Sequence, residues 1–268
     1  MNGLNIFYVA VWRVFANLNV AFRISAFWFG AIILISSATW YVSEFALDMW
    51  NKEQHVQLAI QIAPILVGVQ LLCAFFGLTV VAVGWHRFSL LNENPNGFVI
   101  DLPTGKMKSC LWAAFKFWLA IVLLLIVVAI FSTQLGALVG EFQPVLSFVI
   151  SILYGVVLVG PAMLLPAASI DQQLGIARMV DIVRQNFGFL LVLSTIYVLF
   201  SLGMNFVLNF AENNYLQTSN AVVLILVWLV QTAFRWISVM FGLSYVTELY
   251  RSIVLNNVVS TEQVKPSF

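Results

Sequence analysis

The chain has 268 residues, of which 62% are hydrophobic and 9% charged, and its mean hydropathy is +0.99. A soluble domain carries about 25% charged residues, so this composition cannot cover a water-facing surface and reads as an integral membrane protein. The net charge of +1 offers no footprint for nucleic acid or for an acidic substrate.

Residues 4–22 (LNIFYVAVWRVFANLNVAF) are apolar but interrupted by Asn5, Arg13, Asn17 and Asn19. Asn5, Arg13 and Asn17 fall near one helical stripe, which predicts an amphipathic helix lying in the interface ahead of the first span rather than an extension of that span. A spanning helix needs about 20 apolar residues. Six stretches meet this, at 25–47, 58–84, 110–133, 144–170, 188–210 and 221–247. The fold class predicted is therefore all-α, a polytopic membrane helix bundle forming a single domain over 1–268. No cleavable signal is expected, because Arg13 and Arg23 interrupt the N-terminal apolar run and no small-residue cleavage site follows it.

The second span ends in Trp85-His86-Arg87-Phe88, then Glu93 and a predicted turn at Asn94-Pro95-Asn96-Gly97. Trp, His and Arg at the end of an apolar helix predict the point where the chain leaves lipid for headgroups. The fourth span contains Gly160-Pro161 and Pro166, which predict a bend of structural rather than functional origin. After it, residues 172–187 set Leu174, Ala177, Met179, Val180, Ile182 and Val183 against Asp171, Arg178, Asp181, Arg184 and Gln185, the pattern of a second interfacial helix.

Ten of the 12 Lys and Arg residues sit at segment ends on one side: Arg13, Arg23, Arg87, Lys106, Lys108, Lys116, Arg178, Arg184, Arg251 and Lys265. The opposite side has Lys52, and Arg235 lies within a helix. The positive-inside rule then puts both termini in the cytoplasm. Phe76-Gly77-Leu78-Thr79 matches Phe241-Gly242-Leu243-Ser244, and Asn19-Val20-Ala21-Phe22 matches Asn186-Phe187-Gly188-Phe189. These pairs predict that spans 1–2 and 5–6 are parallel copies, one established way to build a bundle. Cys73 lies mid-helix and Cys110 at a cytoplasmic helix start, depths that predict free thiols.

The sequence contains few groups able to do chemistry. His55 and His86 are 31 residues apart, about 46 Å of helix, and cannot share a metal or clamp a haem. No cofactor is expected: a pigment or haem held by His86 alone is disfavoured against a ring among headgroups beside snorkelling Arg87. No metal-binding, nucleophilic or phosphate-loop motif occurs, so the chain is not expected to be an enzyme. Glu44, Asp48, Glu53, Glu141 and Glu212 cluster at external ends, while Glu93, Asp101, Asp171, Asp181, Glu248 and Glu262 lie near the cytoplasm. None reads as a midplane carboxylate of the kind that couples transport. Arg235, with Gln231 one turn away, is the one deep intramembrane cation, and Gln70 and Gln134 are further polar groups that could meet it. Its alternative is snorkelling to the inner headgroups. Gly136-xxx-Gly140 and Ser238-xxx-Gly242 permit close helix contact.

VAVGWHRFSLLNE, LLPAASIDQQLGIARMVDIVRQN and TELYRSIV together resemble a family of uncharacterised bacterial inner-membrane proteins. Its marks are about six spans, a Trp-His-Arg-Phe signature, a Leu-Pro-Ala…Asp segment before an amphipathic helix, and a terminal Tyr-Arg. It is loosely similar to the membrane domain attached to some glycerophosphodiester phosphodiesterases, whose catalytic domain is not read in this chain. The resemblance implies interface roles for Trp85, His86, Arg87, Phe88, Glu93, Asp171, Tyr250 and Arg251. It departs at Asn92, where the family usually has Gly. The function expected is that of an accessory, assembly or scaffold component of the bacterial inner membrane, with the lipid bilayer and other membrane subunits as partners. The alternative is a channel or carrier for a small solute or lipid, using a cavity near Arg235 and the bent fourth span.

Overall fold

The structure, a computed structural model, describes residues 3–51, 56–94, 104–139, 143–215 and 221–255. Lys52, Glu53, His55, the turn at Pro95, Asn96 and Gly97, Asp101, Gly140, Glu141, Glu262 and Lys265 lie outside the described residues. At Glu44, Asp48, Lys106, Gln134, Gly136 and Glu212 only the helix backbone is described.

The elements are α1 (Gly3–Ala16), α2 (Leu18–Asn51), α3 (Val56–Leu91), α4 (Thr104–Val139), α5 (Gln143–Ala162), α6 (Leu164–Ser169), α7 (Ile176–Gln185), α8 (Phe187–Tyr215) and α9 (Ala221–Tyr250), closed by a π-helical turn over Arg251–Leu255. Among the described residues six stretches are long and apolar enough to cross a membrane: Leu18–Thr39, Pro64–Leu91, Met107–Ile130, Val145–Ser169, Phe187–Val207 and Ile225–Leu255. The protein is thus an all-α, multi-pass membrane bundle.

The first 22 residues divide at Asn17. Its N–H donates to the Val14 carbonyl (3.2 Å) and its side-chain amide to the Arg13 carbonyl (2.8 Å), which ties off α1. Its own carbonyl accepts from Ala21 (2.9 Å) and starts α2. Asn186 makes the same junction between α7 and α8: its N–H (3.1 Å) and side-chain amide (2.9 Å) both reach Ile182, and its carbonyl accepts from Leu190 (2.9 Å). Asn17 and Asn186 thus occupy similar helix junctions, whereas the sequence match pairs Asn19 with Asn186. Along α1, Ile6, Ala10 and Val14 are buried at intervals of one turn, whereas Leu4, Tyr8, Trp12 and Phe15 are exposed.

α3, α6 and α9 pack on one another; α2 runs along α3, α1 runs alongside α9 through Phe7–Phe241, Ala10–Ser244 and Arg13–Glu248, α4 packs on α5 and α6, and α5 joins α8. The fourth span is two helices, as its prolines predict. Pro161 cannot donate a backbone hydrogen bond, and Met163 marks the break, its N–H shared between Val159 and Gly160 at 3.2 Å each. Pro166 falls in the first turn of α6, where a missing N–H leaves nothing unpaired. α6 is buried along its whole length and carries the chain to the end of the bundle.

Asn92 ends α3 with φ 55°, and Asp171 follows α6 with φ 62°. Glycine adopts this left-handed region most easily and Asn next. Replacing Asn92 with Val is expected to cost about 1–2 kcal/mol, while Asn92→Gly holds stability, as thermal unfolding in mild detergent would measure.

Gly77 lets α2 and α3 meet: a Cβ there would stand 2.9 Å from Trp28 Cε3. Gly77→Leu is expected to lower stability by about 1–3 kcal/mol through overpacking. Gly68→Leu, on the same helix but facing open space, should change it little. Equal melting temperatures for the two variants would contradict this packing.

Candidate functional site

α3, α6 and α9 finish at the same end of the bundle. The last four carbonyls of a helix have no partner within it, and they form the negative pole of its dipole. Three arginines meet these ends. Arg13 of α1 donates from Nη1 to the Ser89 carbonyl in the last turn of α3 (3.1 Å), and Arg251 donates from Nη2 to the same oxygen. Arg87 donates to the carbonyl of Ser169, the final residue of α6 (2.6 Å).

Between Arg13 and Arg251 lies Glu248, only 3% exposed. Its Oε1 is 2.8 Å from Arg13 Nε and 3.0 Å from Arg251 Nη1, and its Oε2 accepts from Arg251 at 3.2 Å. A buried carboxylate is costly unless paired and hydrogen-bonded. Here two guanidinium groups meet that requirement and then bridge to α3. Burial pulls the Arg13 pKa down from its ordinary value while the Glu248 charge acts in the opposite sense; Arg13 stays charged, as arginine does in proteins. Arg87 also pairs with Glu93 through both carboxylate oxygens (2.6 and 2.8 Å), but Glu93 is half exposed, so that pair adds little stability.

The sequence reading sets Trp85 and His86 among headgroups, and the structure places them elsewhere. Trp85 is wholly buried and His86 is 1% exposed. His86 Nδ1 lies 2.8 Å from the Thr247 hydroxyl, which itself donates to the Leu243 carbonyl (2.7 Å). Since that hydroxyl proton is committed, Nδ1 must carry hydrogen and donate it. Trp85 packs with Val14, Ala21, Ile24, Val81 and Met240, joining α1, α2, α3 and α9, and half-buried Phe88 lies 5.6 Å from its ring. Tyr250 is likewise buried, its hydroxyl donating to Gln172 Oε1 in the segment after α6. Asp171 is exposed. These residues face inward because the ends of α1, α3, α6 and α9 close around them, an arrangement that hydropathy cannot register.

The intramembrane candidates do not gather. Arg235 is exposed on α9 and Gln231 half-buried, and among the described residues no hydrogen bond or ion pair joins Arg235 to Gln231 or Gln70. Gln70 instead donates to Ser36 Oγ (3.1 Å), linking α3 to α2. Ser238 returns its hydroxyl to the Phe234 carbonyl (2.9 Å), and a Cβ on Gly242 would lie 3.6 Å from Tyr197 Oη, so Gly242 is a contact between α9 and α8. Cys73 and Cys110 form no disulfide, and the Cys110 thiol donates to the Ala168 carbonyl (3.7 Å). Among the described residues no group of three or more His, Cys, Asp and Glu side chains comes together.

What sequence reasoning missed is the joining of Arg13 to Glu248. The available signals were an arginine on an otherwise apolar N-terminal helix and the i, i+3 spacing of Glu248 and Arg251. Comparison with known proteins finds no matching family model, no matching curated protein and no matching solved structure. Fold and site together define a multi-pass membrane protein whose ionic groups are engaged with one another at one end.

Glu248→Gln would leave two arginines without their counter-charge. Its expected cost is toward the lower end of ~3–5 kcal/mol, because both guanidinium groups still reach solvent. Arg251→Lys should cost less than Glu248→Gln but more than an exposed control, since an ammonium cannot hold the carboxylate and the Ser89 carbonyl through a planar fork. Thermal unfolding in detergent would rank the three.

Proposed function

We propose that this protein is a non-enzymatic accessory, assembly or scaffold component of the bacterial inner membrane, associating laterally with lipid and with other membrane subunits, both termini in the cytoplasm. One observation carries this reading: the ionic groups at the converging helix ends are used on one another, while the outer faces of the spans are left apolar and uncovered. No span has more than 33% of its most apolar window buried inside the chain, and for Met107–Ile130 the share is 11%. Leu123, Ile126 and Ile130 on α4, and Ile225, Leu226 and Leu229 on α9, are exposed. Such surfaces need a covering of lipid or of other helices.

The exposed Tyr8 and Trp12 of α1 suit the headgroup layer, where amphipathic aromatic rings concentrate. On this reading α1 is held against α9 by Arg13 with these rings turned outward. The resemblance to the Trp-His-Arg-Phe family agrees with a shared scaffold rather than a shared reaction.

Extraction from native membranes in mild detergent followed by native mass spectrometry tests the proposal. A stoichiometric larger assembly is expected, and Arg235→Leu should weaken it while leaving expression unchanged, because exposed Arg235 would then be a contact to a partner. A lone monomer or homodimer would overturn the accessory reading. Loss of solute or lipid flux in Arg235→Leu liposomes would favour a carrier.

A further inference from the structure

Beside the converging ends lies a cavity of about 410 Å³, within the size range of small-molecule sites. One wall is a single face of α4, with Ser109, Trp112, Ala113 and Lys116 at one-turn intervals. The opposite wall is Leu164 and Ala168 of α6 with the Gln172–Gly175 segment. Its floor is apolar, its rim has hydroxyl and amide groups, and its charged lining residue is Lys116. Among the described residues none in the lining is acidic.

Lys116 stands about three turns along α4 from Thr104, within its apolar stretch. A cation at that depth is costly unless it pairs or reaches the interface. Helical side chains lean toward the N-terminus of their helix, and Lys116 does so: its Nζ lies 5.3 Å from the centre of the Trp112 ring, one turn nearer the end of α4 that the positive-inside rule puts at the cytoplasm. The ammonium is thereby drawn from the span toward the cavity mouth. The opposite wall is held in place, since Gln172 accepts from Tyr250 and its N–H donates to the Ala167 carbonyl (2.9 Å). An open cavity with one cation, neutral donors at the rim, an apolar floor and no carboxylate calls for a ligand that is anionic at one end and apolar at the other.

We propose that this cavity binds a phosphate ester of net negative charge at the inner-leaflet headgroup level, Lys116 pairing with the phosphate while Ser109 and Gln173 donate to its oxygens and the apolar floor takes the attached chain. This inference does not depend on the chain having a protein partner.

The test is retention of defined lipids by the purified protein, read by native mass spectrometry after exposure to equal phosphatidylglycerol and phosphatidylcholine. Phosphatidylglycerol should be retained preferentially, and Lys116→Gln should reduce it by about fivefold, the scale of one lysine–lipid attraction. Gln173→Glu, which places a negative charge on an exposed rim residue, should also reduce it, and it keeps the test decisive if Lys116→Gln does not insert stably. Lys108→Gln, an exposed lysine outside the lining, should leave retention unchanged. A parallel arm adds inorganic phosphate: displacement of the lipid would assign the site to free phosphate groups, and failure to displace would assign it to lipid. Equal retention of the two lipids, unchanged retention in both cavity variants, or an equal loss in Lys108→Gln would overturn the proposal.

Discussion

The structure depends on what happens where α3, α6 and α9 stop together. Running three helices in the same direction brings their carbonyl ends, and the negative poles of their dipoles, to one place. Water cannot satisfy those groups once the ends are buried, so the chain supplies cations. Arg13, Arg87 and Arg251 reach Ser89 and Ser169, and Glu248 balances two of them. The arginine fork suits this task because it can donate to a carbonyl and a carboxylate at once.

That requirement explains the position of α1. Its apolar stripe alone would rest on any uncovered helix surface. Arg13 pairing with Glu248 selects α9, and the Ser244 hydroxyl donating to the Ala10 carbonyl (2.9 Å) sets the register one turn earlier. The Trp236 indole donating to Ser25 Oγ (2.6 Å) adds α2 to the same arrangement. One end of the bundle is consequently dense, with Trp85, His86 and Tyr250 enclosed, while the spans remain open along their outer faces. Among the described residues four buried polar atoms, Arg13 Nε, Trp85 Nε1, Ser89 Oγ and Tyr245 Oη, have no hydrogen-bond partner, Arg13 Nε meeting Glu248 as an ion pair alone; most buried polar groups are hydrogen-bonded, so apolar packing and the ionic bridges must offset that cost.

The bend in the fourth span belongs to the same design. A straight helix would run past the network, whereas the break at Met163 ends α6 with Ser169 under Arg87 and then turns the chain at Asp171. The segment that follows presents Gln172 to Tyr250 and forms one wall of the cavity. Bend, ionic cluster and cavity are thus joined through consecutive residues.

Composition and periodicity alone determined that the chain is an all-α bundle with six apolar spans, a separate N-terminal helix and an amphipathic helix after the fourth span, because lipid compels every backbone group into a helix and about 20 apolar residues into each crossing. Tertiary structure decided which polar residues meet. Arg13 and Glu248 are separated by most of the chain, and an apolar periodicity common to all the spans does not specify which helix a side chain will face. Trp85 and His86 have an interface composition, yet they are buried, because a helix end is wet or dry according to its neighbours rather than its own residues.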